Sequence, residues 1–316
     1  MRKEYLQTGI VCVTLAVVMH LGLSLAPRAL PILLFLGTGR WAGQSGQTAV
    51  SVDLPEESSG PESGDKAVFA AGDQSLVEVH NVCGYGVDVG AMLATPLTWN
   101  LRQAEPTVLI LHSHGTESYR NTENYVQTTQ YRTLDKGYNV VSVGDYLAQK
   151  LEAAGIRVIH DTTLHDYPSY NDSYVEARDA IAAYLAEYPS ICLVLDIHRD
   201  AVEDEAGNQV GQAITVDGQK TAQLMMVVGT DASGRNHPDW EKNMALAVKL
   251  HVQLQKQTPG ICRAISFRTQ RFNQDLSPGG LLIEVGAAGN TRQEALLAAE
   301  KLAEGIIALA EGTEVY

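Results

Sequence analysis

The sequence predicts an α/β fold with a mainly parallel sheet covered by helices on both faces, preceded by an N-terminal transmembrane helix. Two observations lead to this prediction. From about residue 105 onward, short apolar runs alternate with stretches of helical periodicity, which is typical of parallel sheets. Near the N-terminus, an apolar stretch of 19 residues runs from Thr8 to Ala26, and about 20 such residues cross a bilayer as a helix.

The N-terminal stretch determines the expected topology. Arg2 and Lys3 precede it, and because positive residues stay on the cytoplasmic side, the body of the protein is expected outside the cytoplasm. The stretch is longer than the roughly 7–15 apolar residues of a cleavable signal, so we expect an uncleaved, single-pass anchor in the cell membrane. The chain then divides into an anchor over residues 1–40, a flexible acidic linker over 41–75 and a globular domain over 76–316.

The strands and helices of the globular domain follow from periodicity, in order along the chain. Mostly apolar runs predict strands at residues 108–111, 156–159, 191–197 and 281–285. Apolar residues at helical spacing predict helices at residues 143–154, 175–188, 240–254 and from 291 onward. Strands that alternate with helices in this way predict parallel strand pairs joined by crossover helices.

Local signals mark several ends of these elements. Gly155 closes the first helix in the expected C-terminal position. Thr291 and Glu294 fit the capping box of the last helix. Asp217-Gly218 predicts a hairpin between strands at residues 213–216 and 224–228.

The charge of the chain limits its classes of partner. The formal net charge is −14, and because a polyphosphate binder needs clustered Lys and Arg, no nucleic-acid partner is expected. The expected substrate is neutral or of mixed charge. The cysteines show no metal-ligand spacing, and a disulfide between Cys83 and Cys262 is an alternative that the sequence leaves open.

Polar residues cluster at the ends of three predicted strands. The first group spans residues 112–117, the second spans 196–200, and the third contains Glu284. The carboxyl ends of parallel strands meet at one edge of the sheet, where such folds keep their sites. Because side chains two apart in a strand face the same side, His112 and His114 are expected to face one cavity.

These residue types are those of a hydrolytic zinc site. Such a site uses three protein ligands, usually histidine with or without a carboxylate, together with one water. It also needs a base that is not a ligand, and Glu284 stands on a separate strand end. The hypothesis is a zinc hydrolase with the candidate residues His112, His114, Glu117, His198 and Glu284.

Seven blocks of the sequence, in order, resemble the stage II sporulation protein P family. The blocks are residues 108–119, 143–145, 159–161 with 164–166, 170–174, 196–200, 272–275 and 282–286. The predicted anchor and acidic linker also match the plan of that family. More distantly, His114-Gly115, His198 and Glu284 are similar to the motifs of the zinc-dependent N-acetylmuramoyl-L-alanine amidases.

The resemblance implies a peptidoglycan hydrolase that cleaves the amide between N-acetylmuramic acid and L-alanine. It also implies a second activity, endopeptidase cleavage of peptide cross-links. The implied setting is engulfment of the forespore, with stage II sporulation proteins D and M as partners. The implied cofactor is zinc held by His114 and His198, with Glu284 acting first as general base and then as acid.

The third zinc ligand is open at this point. The common amidases supply a ligand Glu from a helix after the first His, and no matching Glu precedes the first predicted helix. Either Glu117 or His112 could fill that role. Arg199 is expected to help zinc offset the charge on the carbonyl oxygen, or else only to pair with a neighbouring aspartate. Asp200 is expected to orient His198 or Arg199.

Other polar and aromatic residues have less specific interpretations. Residues 273–275 are expected to recognise the stem peptide. His160-Asp161 and His165-Asp166 are interpreted as acid–imidazole pairs that shape a loop rather than as zinc ligands. Two interpretations, a sugar-binding cleft and a loop core, stay open for Tyr119, Tyr167, Tyr170 and Tyr174.

Two alternative functions compete with the amidase. The first is a zinc endopeptidase that acts mainly on cross-links between stem peptides. The second is a catalytically silent scaffold that binds the wall. A scaffold would be expected to lack His114, His198 or Glu284, and all three are present.

Overall fold

The structure is a computed structural model that describes residues 67–97, 99–120 and 131–315. The predicted anchor over residues 1–40 and the predicted linker up to residue 66 lie outside the described residues. Within the described part of the chain, no helix is both long and apolar enough to cross a membrane.

Strands and helices alternate along much of the described chain. The strands are β1 (Ala67–Phe69), β2 (Val79–Asn81), β3 (Val108–Leu111), β4 (Val158–His160), β5 (Leu193–Asp200), β6 (Ala213–Val216), β7 (Gln219–Ala222), β8 (Leu224–Val228), β9 (Ile265–Phe267), β10 (Gly280–Ala287) and β11 (Thr313–Val315). The α-helices are α1 (Val89–Ala94), α2 (Val141–Ala153), α3 (Ser173–Glu187), α4 (Trp240–Gln257) and α5 (Arg292–Ala310). Short 3-10 helices span Ala71–Leu76 and Gln274–Leu276.

The central sheet has seven strands in the order β2-β9-β8-β10-β5-β3-β4. All neighbouring strands in it are parallel except β8 and β10, which are antiparallel. The prediction of a mainly parallel sheet is therefore confirmed. The reversal at β8 was not predicted, because an apolar run has the same composition in either direction.

Helices cover both faces of this sheet, as predicted. Alternate side chains of a strand point to opposite faces, and all of β3 is buried. Leu109 packs in a cluster with Ala177 and Ile181 of α3. Ile110 belongs to the larger cluster that includes Leu147 of α2 and further residues of α4 and α5.

The predicted hairpin forms with a different second strand. Asp217 and Gly218 make the turn with φ angles of 50° and 80°, as a two-residue type I′ turn requires. Such a turn pairs the residues directly on either side of it, and β6 accordingly pairs with β7. The prediction was wrong about residues 224–228, which form β8 of the central sheet.

The folded region begins earlier than predicted. Residues 67–75, predicted as the end of the flexible linker, form β1 and most of the first 3-10 helix. Ala67 and Phe69 are fully buried, and β1 pairs with β11. The linker prediction was wrong over this stretch, because a three-residue strand is too short to show a period.

Both predicted helix ends are confirmed. Gly155 follows α2 with a φ of 80°, a left-handed conformation that glycine adopts without steric cost. At the start of α5, the Glu294 amide donates to Thr291 Oγ1 and the Thr291 amide donates to Glu294 Oε2, both at 3.2 Å. This reciprocal pair is the predicted capping box.

The disulfide that the sequence left open is not formed. Cys83 and Cys262 are both free. Cys83 Sγ donates to Asn81 Oδ1 at 3.3 Å. Burial raises the pKa of the Cys262 thiol, which keeps it neutral.

The buried His251 of α4 makes the stability of the fold depend on pH. Its ring is 1% exposed, and Nε2 donates to the carbonyl oxygen of Leu76 at 3.1 Å. Burial lowers the pKa of His251 to about 4, whereas an unfolded chain has a histidine pKa of about 6.5. The unfolded state therefore takes up the proton first, and the free energy of unfolding falls as pH decreases from about 6.5 to 4.

We expect His251→Gln to lose this pH dependence, because an amide keeps a hydrogen-bond donor without titrating. Between pH 7 and pH 4.5 the variant should gain about 2 kcal/mol in free energy of unfolding relative to wild type. Urea denaturation of the full chain measures this difference. The control is His80→Gln at an exposed position, which should follow the wild type. A constant difference between His251→Gln and wild type at both pH values would contradict the prediction.

Candidate active site at the carboxyl edge of the sheet

The structure brings four of the predicted site residues together at one edge of the sheet. His114 and Glu117 follow β3, His198 lies near the end of β5, and Glu284 lies in β10. Since β5 is the neighbour of both β3 and β10, the carboxyl ends of these three parallel strands are adjacent. This is the edge at which the sequence placed the site.

The segment after β3 is a turn rather than an extension of the strand. Residues 113–116 form this turn. Asp196 of β5 holds its start, because it accepts the Ser113 amide at 2.8 Å and the Ser113 hydroxyl at 2.5 Å. Asp166 holds its end, because it accepts the Thr116 amide at 3.0 Å. Distant carboxylates therefore determine where His114 and Glu117 point.

His114 lies among aromatic rings. Its ring stacks on Tyr170 at a centroid distance of 4.6 Å, and it meets the rings of Tyr174 and His198 edge-on, both at 5.3 Å. Its Nδ1 is buried without a hydrogen-bond partner. Burial and the neighbouring His198 lower the pKa of His114, so the ring favours the neutral form that binds metals.

His198 lies between two carboxylates. Its Nε2 is 2.8 Å from Asp196 Oδ1, and its Nδ1 is 3.5 Å from Glu117 Oε2. Nε2 is buried, and its contact with Asp196 is an ion pair rather than a hydrogen bond. Although burial favours the neutral ring, Asp196 and Glu117 hold the pKa of His198 well above its ordinary value. The site thus concentrates negative charge around this imidazole.

Glu117 is held by two arginines. Its Oε1 is 3.3 Å from Arg199 Nη1 and 3.5 Å from Arg132 Nη2, and its Oε2 accepts the Arg199 amide at 3.2 Å. Burial alone would raise the pKa of this carboxyl, but Arg199 and His198 lower it to about 2. Glu117 is therefore ionised and directed at His198.

Glu284 completes the edge from the other side of β5. Its Cα is the register partner of His198 across the β5–β10 pair, and its Oε2 is buried without a hydrogen-bond partner. Burial raises the pKa of Glu284 to about 8, and Glu117 adds to this effect. The register of β10 shifts directly after Glu284, where Gly286 has a φ of 71°. Bulges of this kind commonly lie next to active sites.

His112 does not face the same cavity as His114, and this prediction was wrong. Its Nδ1 donates to the Ile197 carbonyl oxygen at 2.8 Å, and its Nε2 lies 2.8 Å from Nε2 of His160. Nδ1 of His160 in turn contacts Asp145 Oδ1 at 2.9 Å. The alternation rule fails here because the chain leaves the strand after Leu111.

Arg199 and Asp200 have different partners from those expected. Arg199 Nε and Nη2 donate to the carbonyl oxygens of Ser118 and Tyr131, both at 3.0 Å, while Nη1 contacts Glu117. Arg199 therefore fixes the segment that carries Glu117. Asp200 pairs with Arg263 at 2.7 Å, and these contacts contradict the expectation that it orients His198 or Arg199.

The loop after β4 contains an acid–imidazole contact, but neither His160-Asp161 nor His165-Asp166 forms the predicted pair, because His160 contacts Asp145 instead. His165 Nε2 lies 3.0 Å from Asp161 Oδ2 in a buried pair. Asp166 accepts a hydrogen bond from the Thr116 amide, and it forms an ion pair with Arg132 Nη1 at 2.7 Å. This loop therefore buttresses the turn that carries His114.

Residues 273–275 mainly hold the backbone. Gln274 accepts the Gly229 amide and donates to the Val227 carbonyl oxygen, both at 2.8 Å. Asp275 pairs with Arg178 and Arg271 at 2.8 Å and 3.0 Å. Gln274 and Asp275 thus have structural partners, and the expectation that they recognise a peptide stays a prediction without support from these contacts.

The tyrosines that the sequence assigned either to a loop core or to a sugar-binding cleft do not all have the same environment. Tyr119 is buried and donates to the Val285 carbonyl oxygen at 3.0 Å, so it fills the core. Tyr170 is 52% exposed yet covers His114, and Tyr167 is 59% exposed. Tyr174 stacks over His198 at 6.5 Å. Tyr170 and Tyr174 therefore form an aromatic wall at the candidate site.

The sequence placed Asp196 in the second polar group but assigned it no role at the site. Asp196 is buried and contacts both Ser113 and His198. A signal was present, because Asp196 and His198 are two apart in one strand and so share a face. The role of Arg132, which contacts Glu117 and Asp166, had no such local signal.

The unpaired polar atoms indicate that something else completes this edge. His114 Nδ1, His198 Nε2 and Glu284 Oε2 are all buried without a hydrogen-bond partner, a costly and uncommon state. Imidazole and carboxylate are ligands that suit zinc. Within the described residues, no three His, Cys, Asp or Glu side chains are arranged to hold a metal ion. The donor types and unpaired atoms fit zinc, and binding requires these side chains to turn towards one another.

The sequence matches the family model described as stage II sporulation protein P over residues 45–307. The chain belongs to the stage II sporulation protein P family. The curated stage II sporulation protein P of Bacillus subtilis (strain 168) is 28% identical to it in an alignment of 208 residues that covers 62% of this chain and 49% of that protein. The chain thus spans about half the length of this stage II sporulation protein P.

Solved amidase structures show a more distant likeness. The N-acetylmuramoyl-L-alanine amidase AmiC2 of Nostoc punctiforme is 14% identical, with a TM-score of 0.38, over 65% of this chain and 97% of that one. The N-acetylmuramoyl-L-alanine amidase of Clostridium difficile 630 is 15% identical, with a TM-score of 0.39, over 66% and 98% of the two chains. Likeness at this level does not by itself establish a shared activity.

Gly144 of α2 provides a test of the contact between His112 and His160. A Cβ at this position would lie 2.6 Å from Nε2 of both rings, closer than real Cβ atoms approach. Gly144→Ala should therefore push the rings apart and lower the free energy of unfolding by about 1–3 kcal/mol. Urea denaturation measures the change. The control is Gly86→Ala, where the added Cβ meets nothing within 4 Å. Equal stability of the two variants would show that the pair is not tightly packed.

Proposed function

We propose that this protein is a sporulation peptidoglycan hydrolase that cleaves the amide between N-acetylmuramic acid and L-alanine with zinc-activated water. Membership of the stage II sporulation protein P family supports sporulation and wall hydrolysis. The observation that carries the chemistry is a group of three buried atoms without a hydrogen-bond partner at one sheet edge, namely His114 Nδ1, His198 Nε2 and Glu284 Oε2. Two imidazoles and a separate carboxylate are the groups that such a hydrolysis uses.

The proposed zinc ligands are His114, His198 and Glu117. Glu117 is favoured over Asp196 because its contacts are long, at 3.2–3.5 Å, whereas Asp196 accepts Ser113 at 2.8 Å and 2.5 Å. Long contacts are weak, so the Glu117 side chain can rotate towards a zinc ion at a lower energetic cost than that of Asp196. His112 is left out of the set because both of its ring nitrogens already have protein partners.

Bound zinc would polarise the scissile carbonyl and make hydroxide available near neutral pH. In its ionised form, which is the minor form at neutral pH because its pKa is raised to about 8, Glu284 accepts the proton of the attacking water at Oε2 and passes it to the leaving amine nitrogen as the carbon–nitrogen bond breaks. This oxygen is available for both proton transfers because it neither donates nor accepts a hydrogen bond within the described part of the protein. Arg199 is a positioning residue that holds Glu117 and the adjacent backbone.

Tyr170 and Tyr174 are proposed to guide the wall polymer to this edge. Tyr170 is half-exposed and carries the Arg132 guanidinium over its ring at 4.5 Å. Exposed aromatic rings offer flat apolar surface to the faces of a sugar. Burial raises the pKa of Tyr174 far above its ordinary value, so its hydroxyl stays protonated and able to donate.

The proposal places the protein in the cell membrane with its folded part outside the cytoplasm. Support comes from the apolar stretch Thr8 to Ala26 behind Arg2 and Lys3, which lies outside the described residues. Stage II sporulation proteins D and M are proposed partners on the family resemblance alone. The net charge of −14 argues against a nucleic-acid partner.

Digestion of purified peptidoglycan by the full-length protein tests the activity. We expect free lactyl groups and released stem peptides in the products by mass spectrometry, with loss of activity on chelation and recovery with zinc. Glu284→Gln should lower the rate by about 10²–10⁴-fold because the proton transfer is lost. The matched control is Glu241→Gln at an exposed position of α4, which should keep full activity. Products cut only within the stem peptides would show that the protein is an endopeptidase and would contradict the amidase proposal.

Zinc content tests the ligand set separately from activity. We expect about one zinc per chain in wild type and in Glu284→Gln, and a loss of zinc in His114→Asn and His198→Asn, by elemental mass spectrometry of the purified proteins. His112→Asn should keep its zinc, because this side chain contacts Ile197 and His160 instead. Loss of zinc from folded His112→Asn with retention in Glu117→Gln would reverse the assignment of the third ligand.

A further inference from the structure

A cavity of about 380 Å³ opens beside the candidate active site. It lies between the start of α3 and the loops at residues 233–235 and 270–273. The side chains that determine its chemistry are Tyr174, Val175, Phe272, Arg178, Arg235 and Arg271. A volume of this size accommodates a small organic ligand or a few residues of a peptide.

The cavity is positive although the protein is acidic. Three arginines line it, and the described lining contains no carboxylate, whereas the whole chain has a net charge of −14. Asp275 pairs with Arg178 through two bonds at 2.8 Å and 2.9 Å and with Arg271 at 3.0 Å. Arg235 is exposed, and within the described residues no carboxylate pairs with it. An excess of guanidinium charge therefore remains for a ligand.

Close contacts hold one wall of the cavity in an unusual backbone conformation. Phe272 and Asn273 have φ angles of 49° and 58°, which is a strained conformation for residues other than glycine. Asn273 Nδ2 donates to the Tyr174 carbonyl oxygen at 2.7 Å. A Cβ on Gly229 would lie 2.2 Å from the Gln270 carbonyl oxygen, so this loop packs directly on β8. Strain that the surrounding structure maintains is typical of a binding site.

Tyr174 forms a wall of both the cavity and the candidate active site. Its ring centroid lies 6.0 Å from that of Phe272 at the cavity. It lies 5.3 Å from that of His114 and 6.5 Å from that of His198 at the candidate active site. A substrate whose amide reacts at the two histidines therefore extends past one aromatic ring into the cavity.

We propose that this cavity is the subsite for the stem peptide and that Arg235 binds a free carboxylate of that peptide. The proposal rests on the proposed function. In a stem peptide the second residue is D-glutamate linked through its side chain, so its α-carboxylate is free and is separated from the scissile amide by one residue, L-alanine. A guanidinium recognises a carboxylate with two parallel hydrogen bonds, and the apolar wall of Tyr174, Val175 and Phe272 accepts the aliphatic part of the peptide.

The test compares two soluble muropeptides that differ in one group. The first carries D-glutamate with its free α-carboxylate, and the second carries D-isoglutamine, in which an amide replaces it. For the first substrate, Arg235→Gln in the full-length protein should raise KM about tenfold with little change in kcat. For the second, wild type and variant should have the same KM. Arg235→Lys should lie between them, because an ammonium keeps the charge without the planar fork.

The matched control is Arg268→Gln. Arg268 is exposed, and its Nε donates to Ser266 Oγ at 2.8 Å outside the cavity lining. This variant should keep wild-type KM on both muropeptides. An equal KM for wild type and Arg235→Gln on the glutamate substrate, with cleavage intact, would overturn the subsite while the hydrolase proposal stands.

Calorimetric binding of the released stem tripeptide makes the two proposals distinguishable. Weaker binding by Arg235→Gln than by wild type and Arg268→Gln supports the subsite even if no muropeptide is cleaved, in which case only the proposed function fails. Equal binding by all three proteins overturns the subsite. Because Arg235 is exposed, its substitution is not expected to disturb folding, and thermal denaturation of each variant checks this.

Discussion

The register of β3, β5 and β10 is the constraint on which the site depends. Across these parallel strands Leu111 pairs with Asp196, and Glu284 pairs with His198. Neighbouring strands are about 4.8 Å apart, so this register puts the polar groups of three strands within reach of one another. A shift of one residue would turn the polar side chains of β5 to the opposite face. The apolar faces that α3 and the other helices bury hold the register, and packing of the core therefore positions the chemistry.

Burial makes the charged residues of this edge interdependent. Glu117, Asp196, His198 and Arg199 are each at most 6% exposed, and an isolated charge at such a position is very costly. The costs are offset because carboxylates, imidazole and guanidinium stand next to one another. Removing one member leaves its partner buried and uncompensated. The polar atoms that stay unpaired, such as Glu284 Oε2, are then the atoms free to act on a substrate.

The loops around this edge are held by contacts that are specific and short. The turn that carries His114 is anchored at one end by Asp196 and at the other by Asp166. The loop that presents Phe272 is anchored by Gln274, which bonds to the backbone of β8. Rigid loops keep catalytic and binding groups in place without a cost of ordering on each encounter. Tyr174 stands between these two loops and connects the candidate active site to the arginine cavity.

The sequence by itself determined the long apolar strands, the amphipathic helices, the capping box at Thr291 and the sheet edge where the polar groups collect. These features are local, since each depends on periodic burial or on a few adjacent residues. The short strand β1, the second strand of the hairpin and the direction of β8 were decided only by the tertiary structure. A strand of three or four residues is too short to show a period, and an apolar run has the same composition in either direction. The tertiary structure also decided the position of His112, which spacing alone placed beside His114. The turn after β3 is set by Asp196 and Asp166, which are far along the chain and act only once the sheet has assembled.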